Sequence, residues 1–286
     1  MDFRDLHIFC SVVRAGGVTR AAEQLHRVPS NVTTRIRQME EDLGVPLFLR
    51  DGKRMRMTPA GQVLHGYAQQ ILTLGREARE AVLDGAPRGR LSLGSMESTA
   101  AIRLPQPLAE FHRRYPEVTL ELSTGPSSPL VSQVLDGALD AAFVADPPRD
   151  ARLESLPVFV EELVLVTADG QPRIRSPQDV SSPTLLVFAQ GCAYRRRLEA
   201  WFEAGGCAPA RVVELASYHA ILGCAVAGMG VALLPRSLLE QAPGRDRLGV
   251  HPLPAALRHA QTLLIWRQGG RSAALDAWTG LLQAPA

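Results

Sequence analysis

The sequence predicts a multidomain protein of α+β and α/β class: an N-terminal winged helix-turn-helix, a long linker helix and a C-terminal two-lobed α/β domain. Three observations predict this fold. Short helical segments precede a basic hairpin, a seven-residue apolar repeat follows, and strand-like runs then alternate with helical ones. The length of 286 residues exceeds one ordinary domain of roughly 100 to 200 residues. We expect domains at 1–58, 59–88 and 89–286.

The composition is that of a folded cytoplasmic protein. Apolar residues make up 46% and charged residues 21% of the chain, which excludes a disordered or fibrous protein. Asp2, Arg4 and Asp5 interrupt the start of the chain, where a signal peptide needs an apolar stretch. The longest apolar run, 221–235, contains three glycines and is shorter than the ~18 residues of a membrane span. We therefore expect no membrane partner.

The first 57 residues carry a surplus of positive charge, with ten basic and seven acidic side chains. Two helices with a turn at Arg27–Ser30 are expected between Gly16 and Gly44, and the second helix has polar and basic side chains near its start. Helix-turn-helix proteins place the start of that helix in the major groove of DNA. Two packed helices with a solvated polar face are the alternative. The candidate DNA-binding residues on this helix are Ser30, Asn31, Thr33, Thr34, Arg35 and Arg37.

A basic hairpin favours the DNA-binding interpretation. Leu47–Arg50 and Arg54–Met57 are predicted to be short strands around a turn at Asp51–Gly52. Lys53 and Arg54 at its tip suit contact with phosphates or the minor groove.

A long helix is expected from Thr58, which caps it, and Pro59, which opens it. Its apolar positions follow a 4, 3, 4, 3, 4, 3 spacing over three heptads, which predicts pairing with a second copy in a homodimer. A helix lying on its own domain is the alternative. The seam consists of Ala60, Leu64, Tyr67, Ile71, Leu74, Ala78 and Ala81.

Beyond residue 89, alternating strands and helices predict two lobes with mostly parallel sheets, about 89–162 with 266–286 and about 163–265. The predicted strands are Leu91–Gly94, Val118–Leu122, Ala141–Val144, Glu162–Thr167, Thr184–Phe188, Arg211–Leu215 and Val231–Leu234. The predicted helices are Thr99–Tyr115, Pro129–Leu135, Tyr194–Ala204, Tyr218–Ala227 and Ala273–Leu282, of which the last returns to the first lobe.

The chain resembles the LysR-type transcriptional regulators over essentially its whole length. The matching runs are T-x-A-A-x-x-L at Thr19–Leu25, R-I-x-x-x-E-x-x-L-G at Arg35–Gly44, P-L-F-x-R at Pro46–Arg50, T-P-A-G at Thr58–Gly61, G-x-L-x-L-G at Gly89–Gly94, D-G-x-L-D-x-A at Asp136–Ala142 and the run Ala227–Pro235.

The resemblance implies a transcription regulator that binds a double-stranded DNA operator. It also implies a dimer through the linker helix, commonly joined into a homotetramer, and an effector domain similar to periplasmic binding proteins. The chain departs from the family at Val28-Pro29-Ser30, where Ser or Thr followed by Gln-Pro is usual, and at Gly17, where a capping Ser is usual. The glutamine that usually contacts a base in the family is therefore absent from this chain.

A small-molecule effector is expected between the lobes, at strand ends and helix starts, where backbone amides favour anionic or polar groups. Each polar residue there is alternatively a simple helix cap. His219 is more often a packing residue than a ligand, and Cys192 has no evident redox partner. The candidates are Ser98, Thr99, Gly125, Ser127, Gln190, Gly191, Cys192, Tyr194, Tyr218 and His219.

Two other functions compete with an effector-controlled regulator. Two α/β lobes with a cleft also describe many enzymes, but the sequence has no nucleophile elbow, P-loop, dinucleotide fingerprint or metal-spaced His cluster. The four cysteines also lack CxxC spacing, so we expect no enzyme activity, no cofactor and no metal. An architectural DNA-binding protein, whose C-terminal domain serves oligomerisation alone, is the second alternative.

Overall fold

The computed structural model of the chain describes residues 1–51, 54–82, 86–147, 149–180 and 183–283. The chain divides into two compact units, Met1–Gly85 with Asp136–Ala138, and Ala86–Leu135 with Leu139–Ala286. No helix in the described ranges combines the length and apolar character needed to span a membrane.

The first unit begins with three helices around one apolar core: α1 (Phe3–Ala15), α2 (Val18–Gln24) and α3 (Pro29–Leu43). The Asp2 carboxylate caps α1 by accepting hydrogen bonds from the backbone N–H groups of Arg4 and Asp5, at 2.8 and 2.9 Å. Ala21 and Ala22 are buried, as expected for two helices that cross closely. The buried core also contains Leu6, Ile8, Phe9, Val12, Val32, Ile36, Met39 and Leu47.

The turn between α2 and α3 runs from Leu25 to Val28. The sequence prediction of a turn at Arg27–Ser30 is wrong by about two residues. Pro29 explains the difference, because a proline suits the first helical position and therefore starts α3. His26 redirects the chain with a φ of +51°.

A two-stranded hairpin, the wing, follows α3 and consists of β1 (Phe48–Asp51) and β2 (Arg54–Met57). The antiparallel register pairs Asp51 with Arg54, so Asp51 belongs to the strand rather than to the predicted turn at Asp51–Gly52. Gly52 and Lys53 lie outside the described residues.

The linker helix α4 (Pro59–Val82) starts where the sequence predicts. The Thr58 hydroxyl accepts a hydrogen bond from the backbone N–H of Gly61 (2.9 Å) and donates one to the carbonyl of Pro46 (2.7 Å). A Cβ atom at Gly61 would lie 2.2 Å from the Leu47 carbonyl oxygen. The glycine therefore lets α4 approach the segment that leads into the wing.

The second unit contains nine strands and eight helices among its described residues. Its strands are β3 (Gly89–Ser95), β4 (Val118–Thr124), β5 (Ala141–Ala145), β6 (Leu153–Ala168), β7 (Thr184–Val187), β8 (Arg211–Glu214), β9 (Ala232–Pro235), β10 (Leu248–Pro252) and β11 (His259–Arg267). Its helices are α5 (Glu97–Ile102), α6 (Pro105–Arg114), α7 (Ser127–Leu135), α8 (Ala193–Ala204), α9 (Tyr218–Val226), α10 (Arg236–Glu240), α11 (Ala255–Arg258) and α12 (Ala273–Gln283).

The main sheet is mixed, and the prediction of mostly parallel sheets is wrong. Its order is β10-β6-β11-β5-β3-β4, with β9 also paired to β6. Strand β3 runs parallel to β4 and β5, whereas the pairs β11·β5, β11·β6, β10·β6 and β6·β9 are antiparallel. β7 and β8 form a separate parallel pair. The antiparallel pairs come mainly from 153–161, β10 and β11, which the sequence did not predict as strands.

Strand β6 passes from one lobe to the other. Residues 153–162 pair with β11, and residues 163–168 pair with β9 and β10. Lobe 1 consists of β3–β5, α5–α7, β11, α12 and the first part of β6, and lobe 2 consists of β7–β10, α8–α11 and the second part. The expected boundary at residue 266 falls inside β11, which pairs with lobe 1 strands from residue 259 onward.

The core of lobe 1 forms around Trp278 of α12, whose ring meets Phe111 and Phe143 at centroid distances of 5.2 and 6.2 Å. The predicted return of the last helix to this lobe is therefore seen. The predicted single helix Thr99–Tyr115 is wrong, because α5 ends before Pro105 opens a second helix, α6.

Candidate functional site

The exposed face of α3 lies opposite its buried residues Val32, Ile36 and Met39. Ser30, Thr34 and Arg37 are exposed and follow an i, i+4, i+7 spacing, which aligns them along one side of a helix. They are three of the predicted DNA-binding residues. Gln38 is also exposed beside them, and the sequence prediction did not include it.

The other predicted residues of α3 lie on its flanks. Thr33 is half-buried, and its hydroxyl donates a hydrogen bond to the Pro29 carbonyl (3.0 Å). The Arg35 guanidinium forms a 3.5 Å ion pair with Asp5 of α1, whose side chain is 10% exposed. Asn31 is exposed on the same flank. Arg35 is thus oriented by α1 and remains 44% exposed at the edge of this surface.

Glu40 fixes the wing against α3. One carboxylate oxygen, Oε1, accepts hydrogen bonds from the backbone N–H groups of Leu47 (2.8 Å) and Phe48 (3.2 Å). Hydrogen bonds to a charged acceptor are stronger than those between neutral groups, so the wing and α3 are held as one surface. Arg54 lies on β2, and Lys53 lies outside the described residues.

Part of the predicted seam of α4 is exposed in the single chain. Tyr67 and Leu74 are each 62% exposed and Ile71 is 38% exposed. Ala68 and Leu72 instead belong to the core that α1–α3 share with this helix. The helix therefore uses one side for its own unit and presents an apolar stripe on another.

The second unit has a cleft between its lobes, with a volume of about 220 Å³. It lies where strands β3 and β4 of lobe 1 and β7 and β8 of lobe 2 end. Its lining combines apolar side chains with a few polar ones. The lining residues are Met96, Glu97, Ser98, Thr124, Gly125, Pro126, Ser127, Phe188, Ala189, Cys192, Tyr194 and Ala216.

The cleft brings together five of the ten predicted effector-site residues: Ser98, Gly125, Ser127, Cys192 and Tyr194. The remaining five, Thr99, Gln190, Gly191, Tyr218 and His219, are not part of its lining. Thr99 is buried behind it. The Gly191 carbonyl instead accepts a hydrogen bond from the backbone N–H of Ser128 (3.2 Å), which joins the two lobes beside the cleft.

At the start of α9, the side chains of Tyr218 and His219 contact each other, and neither is part of the cleft lining. Their rings stack at a centroid distance of 4.0 Å, and His219 is exposed. Ser217 caps α9 by accepting a hydrogen bond from the His219 N–H (3.2 Å). This arrangement agrees with the packing interpretation of His219.

Two polar atoms of the cleft lining, within the described ranges, are buried without a hydrogen-bond partner: Tyr194 Oη and Glu97 Oε2. Burial raises the pKa of Tyr194 above its ordinary value, and the nearby Glu161 carboxylate raises it further. The Ser98 hydroxyl opposes this rise, although no hydrogen bond of normal geometry joins it to Tyr194. Burial also raises the pKa of the Glu97 carboxyl, and the Tyr218 N–H acts in the opposite direction.

Burial raises the pKa of the Cys192 thiol, so the thiolate needed by a redox sensor is disfavoured. Among the described residues no group of three or more His, Cys, Asp or Glu side chains is placed to hold a metal ion.

Comparison with known families settles the class of this protein. The family profile "Bacterial regulatory helix-turn-helix protein, lysR family" matches residues 3–62, and the profile "LysR substrate binding domain" matches residues 84–285. The chain belongs to the LysR family of transcriptional regulators. It is a regulator with a DNA-binding helix-turn-helix and an effector-binding domain, as the sequence predicted.

Named LysR-family relatives cover almost the whole chain. The chain is 39% identical over 269 residues to the HTH-type transcriptional regulator GltR of Bacillus subtilis (strain 168), which covers 94% of this chain and 91% of the relative. It is 40% identical over 268 residues to the HTH-type transcriptional regulator YofA of Bacillus velezensis (strain DSM 23117 / BGSC 10A6 / LMG 26770 / FZB42), with coverages of 93% and 92%.

Solved structures share the fold. A full-length OxyR variant from Pseudomonas aeruginosa matches with a TM-score of 0.76 and 24% identity, covering 99% of this chain and 93% of that one. Full-length CbnR in complex with its target DNA matches with a TM-score of 0.65 and 23% identity, covering 99% of both chains.

The sequence missed seven lining residues of the cleft. Glu97 precedes the predicted Ser98 and was not recognised, because a single carboxylate next to a strand carries no motif. The apolar members carry the same pattern as core residues. The seven are Met96, Glu97, Thr124, Pro126, Phe188, Ala189 and Ala216.

Proposed function

We propose that this LysR-family regulator binds a small-molecule effector in the cleft between its lobes and that the bound effector changes the protein's affinity for a double-stranded DNA operator. The observation that carries this proposal is the cleft of about 220 Å³, whose lining residues Glu97 and Tyr194 each have a buried polar atom without a hydrogen-bond partner. Buried polar groups are nearly always hydrogen-bonded in folded proteins. A ligand with complementary groups supplies the missing partners.

Movement of the lobes offers a route from the cleft to regulation. A ligand shifts an equilibrium only if it binds two arrangements with different affinity. The lobes are joined by β6 and by a hydrogen bond at its crossing. Glu161, which Arg103 binds at 2.7 and 3.1 Å within lobe 1, accepts a hydrogen bond from the Ser237 hydroxyl of lobe 2 (2.7 Å). Glu161 therefore keeps the two lobes in contact at the crossing of β6, and lobe closure would take place about this contact.

The DNA contacts proposed for the family's helix-turn-helix are those of the exposed α3 surface and the wing. Ser30, Thr34 and Arg37 face outward for base reading, and Lys53 and Arg54 contact phosphates. The exposed seam of α4 supports a homodimer, and two dimers form a tetramer by analogy with the family. Because the DNA of a bacterial regulator is cytoplasmic, we place the protein there and assign it no catalytic residue.

The variant Ser98→Leu tests this function, because a bulky apolar side chain at Ser98 fills the lining of the cleft. The matched control is Ser132→Leu, an exposed position of α7 outside the cleft. Thermal-shift measurements of the full chain with a panel of metabolites identify ligands. The full chain is then used to select genomic DNA fragments, and its affinity for these fragments is measured with and without each ligand.

We expect Ser98→Leu to keep its DNA affinity within about threefold and to lose the ligand response, a coupling of ~1 to 3 kcal/mol. Ser132→Leu should respond like the wild type. A Ser98→Leu variant that responds normally would place the effector elsewhere, and one that no longer binds DNA would assign Ser98 a structural role.

A further inference from the structure

The cleft carries one formal charge among its described lining residues, the carboxylate of Glu97. Three arginines, one at the end of α5 and two in α8, are already paired with acidic side chains, and Arg196 donates to the Asp146 carbonyl oxygen at 3.2 Å. Arg195 binds Glu199 and Glu214, both at 2.8 Å. Arg197 binds Asp146 at 2.6 Å, and Arg103 binds Glu161. The described lining itself contains no Arg, Lys or His side chain that could bind an anionic ligand.

Two helix starts near the cleft, those of α8 and α9, already interact with other groups of the protein, although such amides often bind anions. The starts of α5 and α7 also line the cleft, and the first turn of α5 carries the acidic side chain of Glu97. The backbone N–H groups of Tyr194 and Arg195, at the start of α8, interact with the Cys192 sulfur. At the start of α9, the His219 N–H binds Ser217 Oγ, and the Tyr218 N–H acts on the Glu97 carboxylate. The N-terminal amides of α8 and α9 therefore already interact with neighbouring groups of the protein.

We propose that the cleft selects a compact ligand that bears a protonated amine on an apolar body, with the amine bound to the Glu97 carboxylate. This inference rests on the proposed function, namely that the cleft is the effector site. An ammonium group supplies hydrogen-bond donors and the countercharge that the half-buried Glu97 carboxylate lacks. The Tyr194 hydroxyl, on a side chain that is 4% exposed, is the second unpartnered group and orients the ligand.

The size and lining of the cleft define the rest of the ligand. An engineered apolar cavity of about 150 Å³ holds one benzene molecule, and the cleft measures about 220 Å³. It therefore accommodates a ring with a short polar substituent. Met96, Phe188 and Pro126 provide apolar contacts for that ring. The sequence favoured an anionic or polar effector, and the proposal replaces the anionic alternative by a cationic ligand.

Three probes of nearly equal size test the charge preference: benzylamine, benzyl alcohol and benzoate, which are cationic, neutral and anionic at pH 7. Their dissociation constants for the full chain are measured by NMR titration of the probe resonances. The variants are Glu97→Gln, the matched control Glu203→Gln on the exposed side of α8, and Ser98→Leu.

We expect benzylamine to bind at least tenfold more tightly than the other two probes. Glu97→Gln should weaken benzylamine by roughly tenfold to hundredfold, the range for a hydrogen bond to a charged group, and leave benzyl alcohol within about threefold. Glu203→Gln should behave like the wild type.

The outcomes separate this inference from the proposed function. The ammonium preference would be overturned if benzoate bound more tightly than benzylamine, or if both Gln variants lost the same affinity for benzylamine. In either case, loss of binding in Ser98→Leu would still support the cleft as the ligand site. Binding that Ser98→Leu does not change would overturn the cleft itself. Failure of all three probes to bind the wild type would overturn the proposed ligand class.

Discussion

Replacement of Gly61 by alanine tests the junction between the linker helix and the wing. The added Cβ would lie 2.2 Å from the Leu47 carbonyl oxygen, whereas such contacts are essentially never shorter than 3.0 Å. The start of α4 and the segment around Leu47 must therefore separate by at least 0.8 Å. That movement stretches the 3.0 Å hydrogen bond from the Thr58 N–H to the same oxygen.

The cost of Gly61→Ala follows from three contributions. Overpacking against backbone costs about 1–3 kcal/mol. The strained hydrogen bond costs about 1 kcal/mol. The higher helix propensity of alanine returns about 1 kcal/mol. We expect a net loss of about 1–3 kcal/mol in the free energy of unfolding of the first unit.

Gly66→Ala is the matched control in the same helix, because a Cβ there meets no atom within 4 Å. It should stabilise the unit by up to about 1 kcal/mol, so the two substitutions have opposite signs. Urea denaturation of the full chain, followed by far-UV circular dichroism, measures both. Affinity for mixed-sequence duplex DNA should fall with Gly61→Ala, since the wing moves. Equal stability of the two variants would refute the close contact at Leu47.

Three further predictions concern assembly, DNA binding and pH. Ile71→Glu should give fewer dimers, because two like charges meet in the seam; light scattering that finds the wild-type mass for a folded variant would contradict the paired helix. Lys53→Ala should reduce the salt dependence of binding to mixed-sequence DNA by about one unit of slope, and an unchanged slope would remove the wing from the interface. Burial lowers the pKa of His251, whose Nδ1 accepts a hydrogen bond from the Ile174 N–H (3.1 Å) and whose Nε2 contacts the Thr167 hydroxyl (3.0 Å). The unfolded chain therefore binds the proton more readily, and the stabilisation is complete above pH ~6.5 and is lost as the pH falls through the lowered value. Denaturation midpoints between pH 7.5 and 5.5 should fall more for the wild type than for His251→Asn, and parallel curves would exclude this histidine.

Local signals explain which parts of the fold could be predicted. The cap at Thr58, the helix start at Pro59 and the small residues Ala21 and Ala22 act within one or two turns of a helix, and these predictions agree with the structure. The mixed sheet depends on pairing between β6 and β11, which are about 100 residues apart. No local pattern encodes that register. The first part of β6 also contains polar residues such as Glu154, so its sequence does not show the apolar run that predicts a buried strand.

The same limit applies to the cleft. Ser98 and Ser127 were found because polar residues after a strand commonly reach the open end of a sheet. Glu97 becomes a candidate ligand-binding residue only because its Oε2 atom is buried and the described lining contains no basic side chain. Both observations require the folded structure. Phe188 and Ala216 have the composition of core residues.

The interleaved order of the lobes has a consequence for synthesis on the ribosome. Trp278, which completes the core around Phe111 and Phe143, leaves the ribosome 135 residues after Phe143. At roughly 5–20 residues per second, the interval is about 7 to 27 s. All strands of lobe 2 emerge during that time. Lobe 1 is therefore the first lobe to emerge and the last to complete its core. We expect the apolar face of lobe 1 that Trp278 later covers to stay exposed to chaperones during this interval.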